Sequence, residues 1–386
     1  MILENMAIAL VVTNFDKGGL EQVVFNLYLG YKNKGVPTYI LAENVREGDY
    51  FVSLIKDIDD FYVFNADQEQ FWGFCYKHHI THLHYHYNIF QIDKAAMYGV
   101  KTIYTIHNTY NWFNDDTIQY YGRKLMYSNK IIAVSTLVRN YFIERSDVPS
   151  YWVEVIQNGI DVEELEKNYN EFTMTRKNLN LDENHITYGF IASFLPAKHQ
   201  IGMIGVMERV IKQNPNIKLL LVGNIGEQQY FNTFNEMLSE SSAKPNITLV
   251  PYFEHKYMGQ FLRETVDVFI LPTLQEGCSN AVLEAICCGK PLIVTDVGNA
   301  QDIQNCSETT IVDTAYPDIL TLSLEERDAI SYQKINTNTQ ALANAMLNVS
   351  QNLAQYKQSA EKYKSSISSF GYEEMVDRYL EVLEGS

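Results

Sequence analysis

The sequence predicts an α/β fold built from two doubly wound, Rossmann-like domains. Short apolar runs rich in Val, Ile and Leu alternate along the chain with amphipathic, helix-like stretches. Such alternation is typical of parallel strands joined by helical crossovers. A polar and charged stretch ends near Asn184, after which the same pattern restarts. At 386 residues, the chain is also long enough for two domains of ordinary size.

The first domain is predicted to span residues 1–165. Its opening apolar run leads through a loop into a helix that places Val23, Val24, Leu27 and Tyr31 on one face. The predicted strands are residues 7–12, 38–41, 80–84, 102–106, 130–134 and 153–157. The Asn-Gly pair at residues 158–159 is typical of a turn, and the junction to the second domain follows it.

The second domain is predicted to span residues 166–368. Its predicted strands are residues 186–192, 218–223, 247–250, 266–271 and 291–295. A final amphipathic stretch, residues 369–384, is predicted to be helical. The sequence leaves open whether this helix packs back on the first domain.

Composition argues against several classes of function. The net charge of −17 disfavours a nucleic-acid partner, which requires a basic face. No apolar run is long enough for a transmembrane segment, although peripheral membrane contact stays open. The five cysteines form no CxxC pairs and indicate a reducing, cytoplasmic protein. We expect no bound metal, because no carboxylate or cysteine pattern completes a site around His84 and His86.

The segment from Glu276 to Glu284 is the most informative part of the chain. It follows a strand-like run, and Ser279 or Asn280 can cap a helix that ends before Gly289. The amides at the start of that helix would bind an anion such as a diphosphate. The two carboxylates are suited to paired sugar hydroxyls. The alternative is a surface loop whose second carboxylate only complements the helix dipole.

Other candidate residues follow predicted strands, at the edge where open α/β sheets bind ligands. Gly18 and Gly19 occupy the phosphate-binding turn after the first strand, without the full GxGxxG pattern. His107 can hydrogen-bond a sugar hydroxyl, and Lys198 offers a point charge to a phosphate. A structural turn, a structural histidine and a solvated lysine are the alternative interpretations.

Two further loops of the second domain also follow predicted strands at the ligand-binding edge. The Gly223-Asn224 pair allows close approach of a ligand, and Tyr252 is placed to flank a base. An aromatic lid packed on the core is an equal interpretation of Tyr252.

Taken together, these segments resemble the retaining, nucleotide-sugar-dependent glycosyltransferases of glycosyltransferase family 4, which have the GT-B fold. The resemblance covers nearly the whole chain and keeps the order of the family's elements. The similar segments are the Gly-Gly turn and helix at residues 18–24, His107, the Asn-Gly-Ile-Asp element at 158–161, the E-x7-E signature at 276–284, and residues 289–291 and 295–298. The E-x7-E signature is the most specific of them.

The resemblance implies a donor site for a nucleoside diphosphate sugar in the cleft of a GT-B fold. Glu284 would hold the ribose hydroxyls, Lys198 the diphosphate, and Glu276 the donor sugar. The catalytic residues implied are His107, Lys198 and Glu276. The residues expected to bind the donor are Gly19, Ser193, Lys198, Gly223, Asn224, Tyr252, Glu276, Gly277, Cys278, Ser279, Asn280 and Glu284.

One departure from the family pattern concerns Ser193. The family usually has an arginine five residues before the lysine, and both contact the diphosphate. Serine donates a hydrogen bond but carries no charge, so the leaving group loses one of two expected cations. Either another residue substitutes, or transfer is slow, or the chain binds a nucleotide sugar without transferring it.

The sequence therefore predicts a hexosyl- or N-acetylhexosaminyl-type glycosyltransferase that retains anomeric configuration. The acceptor would be a hydroxyl of a glycan, a glycoconjugate or a protein, with no cofactor and no metal. The absence of a convincing covalent nucleophile fits the front-face mechanism proposed for the family. A non-catalytic nucleotide-sugar-binding or partner subunit stays open as an alternative. A nucleotide-sugar epimerase also uses this fold, but the E-x7-E signature disfavours it.

Overall fold

The structure is a computed structural model of the chain, and it describes residues 5–15, 18–44, 54–55, 58–250 and 254–385. The chain divides into two compact units. Unit 1 comprises residues 1–160 and 371–386, and unit 2 comprises residues 161–370. The division therefore falls at residue 160 rather than at the predicted residue 165, and the C-terminal helix belongs to unit 1.

Unit 1 is built on a parallel sheet. Its strands are β1 (Ile8–Val12), β2 (Thr38–Ala42), β3 (Phe61–Val63), β4 (His82–His86), β5 (Lys101–Ile106), β6 (Lys130–Ala133) and β7 (Val153–Val155). Within the described residues their order is β3-β2-β1-β4-β5-β6-β7. Its first helices are α1 (Gly19–Asn33), α2 (Gln68–Lys77), α3 (Asp115–Leu125) and α4 (Thr136–Ser146). The order reverses between β1 and β4, which makes their carboxyl ends the switch point of a doubly wound sheet.

Unit 2 repeats this architecture. Its strands are β8 (Ile186–Ile191), β9 (Ile217–Val222), β10 (Ile247–Val250), β11 (Val268–Leu271), β12 (Leu292–Thr295) and β13 (Thr309–Val312), in the parallel order β10-β9-β8-β11-β12-β13. Its helices are α5 (Val162–Glu166), α6 (Gln200–Val210), α7 (Gln228–Ser239), α8 (Met258–Thr265), α9 (Asn280–Cys287), α10 (Leu324–Ser331), α11 (Thr339–Gln351) and α12 (Leu353–Lys362). The switch point lies between β8 and β11.

The last helix, α13 (Tyr372–Gly385), packs on α1. The core of unit 1 joins Leu10 of β1, Leu27 and Tyr31 of α1, and Val376 and Tyr379 of α13, all of them fully buried or nearly so. Burial of side chains of this size stabilises the unit by about 1.5–3 kcal/mol each. The apolar face predicted for α1 is therefore the face that the returning C-terminal helix covers.

The Asn-Gly pair at residues 158–159 does not form the predicted turn. No turn is formed at residues 156–159, and Ile160 pairs with Gly371 in an isolated bridge. A Cβ on Gly159 would lie 2.5 Å from Tyr372 Cα, so the glycine is needed where the two segments cross side by side. The N–H of Tyr372 donates to the carbonyl of Ile160 at 2.9 Å and fixes the crossing.

Candidate functional site

The switch point of unit 2 brings together two of the predicted site residues. Lys198 follows β8 and Glu276 follows β11, and these strands are neighbours in the sheet. Their side chains form an ion pair of 2.5 Å between Lys198 Nζ and Glu276 Oε1. The two side chains keep 21% and 12% of their surface exposed, so the pair lies at the accessible edge of the sheet. This is the edge at which doubly wound folds bind ligands.

The backbone around Lys198 is fixed by its neighbours. Residues 196–198 form a 3-10 turn, and the carbonyl of Ala197 accepts from Leu274 N at 2.8 Å. His199 then adopts a positive φ of 59° and is buried, with Asn336 Nδ2 2.8 Å from its Nε2. Burial lowers the pKa of His199 to about 4 and keeps it neutral. The loop that carries Lys198 is thus tied to the strand end that carries Glu276.

The loop around Glu276 rests on segments that the sequence does not place there. Gly298 has a φ of 58°, and a Cβ on it would lie 2.8 Å from Glu276 Cβ. Tyr316 donates from its hydroxyl to the carbonyl of Leu274 at 2.5 Å. Arg327 of α10 donates from Nη1 to Gln275 Oε1 at 3.0 Å. These contacts fix the loop that carries Glu276, whose carboxylate pairs with Lys198.

Helix α9 begins as predicted, with Ser279 as its N-cap. The Ser279 hydroxyl accepts from Val282 N, and Gly289 ends the helix region with a φ of 65°. Gly277 and Cys278 are buried, whereas Ser279 and Asn280 are partly exposed. The Ser279 amide, one of the expected anion donors, instead donates to Asn299 Oδ1 at a long 3.3 Å. Sequence reasoning missed Asn299, which lies 20 residues further along the chain.

Glu284 lies inside α9 and is almost fully buried. Its Oε1 lies 2.7 Å from His255 Nε2, and only 5% of the carboxylate side chain is exposed. His255 is a site residue that the sequence did not indicate. It follows β10 at the predicted ligand edge, which is the signal that could have found it. The predicted Tyr252 on the same loop lies outside the described residues.

Ser193 and Gly223 meet where β8 and β9 end. A Cβ on Gly223, which has a φ of 154°, would overlap the carbonyl of Ala192, so only glycine fits there. Asn224 is exposed, and its carbonyl accepts from Phe194 N at 2.8 Å. Ser193 is half-buried, and its own carbonyl accepts from Gln200 Nε2 at 2.9 Å. These residues therefore bring no charged side chain to the ends of β8 and β9.

In unit 1, the predicted residues lie after β1 and β5. Gly18 and Gly19 are exposed at the start of α1. Gly18 is the N-cap residue of that helix and has no side chain to cap it. His107 is buried directly after β5, and its Nε2 lies 2.8 Å from Nδ1 of His86 at the end of β4. Burial lowers the pKa of His107 from 6.5 to about 3, so the imidazole is neutral.

A cavity of about 560 Å³ opens at the same edge of unit 1. It is lined by residues that follow β1, β2 and β4 and by one face of α3: Thr13, Glu43, Tyr87, Asn88, Ile89, Phe90, Gln91, Asp93, Lys94, Tyr120, Tyr121 and Lys124. One ion pair lies in the lining, with Lys124 Nζ 2.5 Å from Asp93 Oδ2, and Asn88 donates to Glu43 Oε2 at 2.8 Å.

Both halves of the chain match families of known proteins. Residues 17–164 match the family described as "Glycosyltransferase Family 4", and residues 171–323 match "Glycosyl transferases group 1". The chain belongs to the family-4-type glycosyltransferases. The first matched range lies in unit 1 except for its last four residues, and the second lies wholly in unit 2. The E-x7-E segment therefore lies inside the matched range of unit 2.

Curated relatives agree with this glycosyltransferase family but match only part of the chain. The chain is 26% identical over 161 residues to the capsular polysaccharide biosynthesis glycosyltransferase CapH of Staphylococcus aureus. It is 28% identical over 156 residues to a UDP-Gal:alpha-D-GlcNAc-diphosphoundecaprenol alpha-1,3-galactosyltransferase of Escherichia coli. The aligned segments cover 42% and 40% of this chain and 41% and 39% of those relatives.

Solved structures establish the GT-B fold over the whole glycosyltransferase chain. HepE of Anabaena in complex with UDP-glucose is similar with a TM-score of 0.78 and 16% identity, covering 99% of this chain and all of that one. A sucrose-phosphate synthase of Thermosynechococcus elongatus is similar with a TM-score of 0.75, 16% identity and the same coverage. The two Rossmann-like units predicted from the sequence are confirmed.

Two kinds of feature are missing from the part of the chain that the structure describes. Among the described residues, no helix combines the length and the apolar character of a membrane-crossing segment. Over the same part of the chain, His, Cys, Asp and Glu side chains form no group of three or more that could hold a metal ion.

Proposed function

We propose that this chain transfers a sugar from a nucleoside diphosphate sugar to an acceptor hydroxyl with retention of anomeric configuration. The observation that carries the proposal is the Lys198–Glu276 pair at the switch point of unit 2, beside the N-terminus of α9. A cation, a set of helix amides and a carboxylate at one sheet edge match a phosphate that is bonded to a sugar.

The leaving diphosphate is held by Lys198 and by amides at the start of α9 other than that of Ser279, which donates to Asn299 Oδ1. A lysine ammonium has three N–H donors, so Lys198 can keep Glu276 and still donate to a phosphate oxygen. As the bond from the sugar to the phosphate breaks, negative charge develops on that oxygen. Preorganised donors stabilise this charge more than the ground state, which is the condition for catalysis.

The remaining site residues contact the sugar and the nucleoside. Glu276 accepts from a donor-sugar hydroxyl, and Glu284 accepts from the ribose through the carboxylate oxygen that His255 does not occupy. His107 hydrogen-bonds the donor sugar. In the front-face reaction, the anomeric carbon loses its bond to the phosphate oxygen and gains one to the acceptor oxygen on the same face. The acceptor proton passes to the departing phosphate oxygen.

The donor is a uridine diphosphate sugar. This choice is supported by relatives and structural neighbours whose names carry UDP-galactose or UDP-glucose. We also propose that the chain acts in the cytoplasm, where its five free cysteines stay reduced.

The acceptor is an uncharged part of a glycan or glycoconjugate, bound in the cavity of unit 1. Tyr87, Tyr120 and Tyr121 offer aromatic faces for sugar rings. The lining contains two lysines and two carboxylates, so the cavity has no excess of positive charge. A phosphorylated acceptor would instead call for an excess of cations in the lining. Tyr121→Ala, compared with the exposed Tyr151→Ala, is expected to raise KM for the acceptor without changing KM for the donor.

A thermal-shift and turnover panel tests the donor assignment. A ligand that binds only the native state raises the melting temperature, so UDP-glucose, UDP-galactose and UDP-N-acetylglucosamine are compared with GDP-mannose and ADP-glucose. We expect a shift with one UDP-sugar and slow release of UDP from it without an acceptor. Stabilisation by no nucleotide sugar would contradict the proposal.

A non-catalytic nucleotide-sugar-binding subunit is the second candidate, because Ser193 provides no charge where the family has an arginine. Binding of a UDP-sugar with no release of UDP, with or without a polysaccharide acceptor, would favour it. Turnover is also proposed to be metal-independent, since Lys198 and the helix amides can neutralise the leaving group. Activity should persist in excess chelator. A reversible loss of turnover in chelator would contradict metal independence.

A further inference from the structure

The histidines of β4 form a buried polar row that the proposed reaction does not use. His82, His84 and His86 alternate along the strand and therefore point to the same face of the sheet. His84 and His86 are fully buried, and their ring centroids lie 4.0 Å apart. The row ends at His107, because His86 Nδ1 and His107 Nε2 lie 2.8 Å from each other.

The hydrogen bond between His86 and His107 couples the tautomers of the two rings. A neutral imidazole has one N–H donor and one acceptor nitrogen, so one ring must donate and the other must accept. The Nε2 atom of His86 is buried and has no partner among the described residues. If His86 accepted through Nδ1, that Nε2 would carry a buried, unpaired N–H.

An unpaired buried N–H is rarer in proteins than an unpaired acceptor. The favoured arrangement is therefore that His86 donates from Nδ1 to Nε2 of His107. His107 then carries its own proton on Nδ1. Because Nε2 is occupied by His86, Nδ1 is the ring nitrogen left for a ligand, and it is a donor.

We propose that His86 is a positioning residue that fixes the tautomer and the ring orientation of His107, so that His107 Nδ1–H donates to a hydroxyl oxygen of the donor sugar. The contact to the sugar rests on the proposed function, whereas the tautomer follows from unit 1 alone.

Two observations support this arrangement. Burial lowers the pKa of both histidines, that of His107 to about 3, so neither ring carries a second proton at neutral pH. The neighbouring His84 obeys the same donor and acceptor count. Its Nε2 lies 2.8 Å from Thr105 Oγ1, which lies 3.1 Å from the Tyr379 hydroxyl, while its Nδ1 has no partner in the described part of the chain.

Long-range ¹H–¹⁵N spectra of protein labelled with ¹⁵N-histidine test the tautomer directly. The chain has nine histidines, and the signals of His107 are assigned by their loss in His107→Gln. We expect a neutral His107 with its proton on Nδ1 in the wild-type protein. In His86→Leu we expect a mixture of tautomers. A His107 that carries its proton on Nε2 in the wild-type protein would overturn the proposal.

Kinetics with matched variants test the positioning role. Asparagine places an amide N–H near the position of the imidazole Nδ1, whereas leucine has no donor. We expect His86→Leu to lower kcat about tenfold with little change in KM for the donor, the effect of losing one orienting hydrogen bond. His86→Asn should recover activity to within about threefold of wild type. His84→Gln, which keeps the bond to Thr105, serves as the control and should leave kcat unchanged.

The outcomes separate this inference from the proposed function. Equal kcat for His86→Leu and His86→Asn, with both folded by circular dichroism, would overturn the positioning role while transferase activity stands. If no variant and no wild-type protein transfers sugar, the proposed function fails, and the spectra still decide the tautomer of His107.

Discussion

The carboxyl edges of the two sheets carry opposite kinds of chemistry. At the ends of β4 and β5 in unit 1, His86 and His107 are buried, neutral and hydrogen-bonded to each other. At the ends of β8 and β11 in unit 2, Lys198 and Glu276 form an ion pair that stays partly exposed. The carboxyl edge of a repeated fold thus holds neutral, hydrogen-bonded rings in one unit and full charges in the other.

The difference follows from the cost of removing charge from water. Burying an ion costs several kcal/mol, so the ion pair of unit 2 stays at the accessible edge. A neutral imidazole can be fully buried when it is hydrogen-bonded. The charged edge is suited to a phosphate that gains charge during the reaction, and the neutral edge to hydroxyls that need orientation.

The largest effect is expected from Lys198→Ala. This change removes the cation assigned to the leaving diphosphate, and loss of one preorganised contact of this kind commonly costs about 2.7–4 kcal/mol, or 10²–10³ in rate. Steady-state release of nucleoside diphosphate measures it. Lys212→Ala, an exposed lysine of the same unit, is the control and should be near wild type. Near-normal turnover in Lys198→Ala would mean that the diphosphate is held elsewhere.

Glu284→Ala should weaken donor binding by a smaller amount. Each ribose hydrogen bond to the carboxylate contributes about 1.5–3 kcal/mol. Calorimetry with the cognate nucleoside diphosphate should therefore give a dissociation constant about 10- to 100-fold higher. Glu183→Ala, an exposed carboxylate in unit 2, controls for the loss of net charge. Unchanged affinity in folded Glu284→Ala protein would remove this residue from the site.

The buried histidines of unit 1 should make stability depend on pH. Burial holds the pKa of His84, His86 and His107 below the ordinary 6.5. The unfolded chain takes up protons as pH falls below about 6.5, while the native rings stay neutral. The free energy of unfolding therefore decreases as the pH is lowered. Each such ring contributes at most about 1.4 kcal/mol per pH unit.

The variant His84→Gln isolates one of these rings. Glutamine can keep the hydrogen bond to Thr105 but does not titrate, so the pH slope of the unfolding free energy should decrease. Urea unfolding at pH 7.5 and pH 5.5 measures the slope in both proteins. An identical slope would mean that His84 takes up a proton in the native state.

Local signals in the sequence predicted much of the fold. The limits of α9 were predictable because a cap serine and a terminal glycine lie next to the helix that they bound. The strand ends that carry Lys198, Glu276 and His107 were predictable from apolar runs. The strand predicted at residues 80–84 is observed at His82–His86. Its alternating histidines are buried but polar, so the apolar pattern did not indicate where the strand ends. The partly exposed strands β3 and β13 were missed because runs of three and four residues are too short to show a clear pattern.

The contacts that shape the site could not be predicted, because their partners are distant in the chain. His255 and Glu284 are separated by 29 residues, and Arg327 and Gln275 by 52. Thr105 and Tyr379 are 274 residues apart. Gly159 was misassigned to a turn because an Asn-Gly pair gives the same local signal when the glycine instead permits a close crossing. Such pairings depend on how each unit folds, so they cannot be predicted from the pattern of residues in one segment.

The smallest effect is expected from Ser193→Arg, which would make unit 2 still more charged. The nearby Arg327 is already engaged by the protein, with Nη2 2.5 Å from Asp328 Oδ1 and Nη1 3.0 Å from Gln275 Oε1. We therefore expect that no residue fully replaces the missing arginine. A new guanidinium beside the leaving diphosphate should raise kcat about three- to tenfold, with less change in KM, because the contact strengthens as charge develops.

Ser193→Gln separates charge from bulk, because glutamine also extends the side chain but has no charge. A rise in kcat with arginine and none with glutamine would assign the effect to the cation. If neither variant gains activity, while Arg327→Gln loses as much as Lys198→Ala, then Arg327 serves the diphosphate despite its contacts with Gln275 and Asp328. Helix α10 packs against the turn at residues 196–198. In that case α10 would supply the positive charge that the loop of Ser193 lacks.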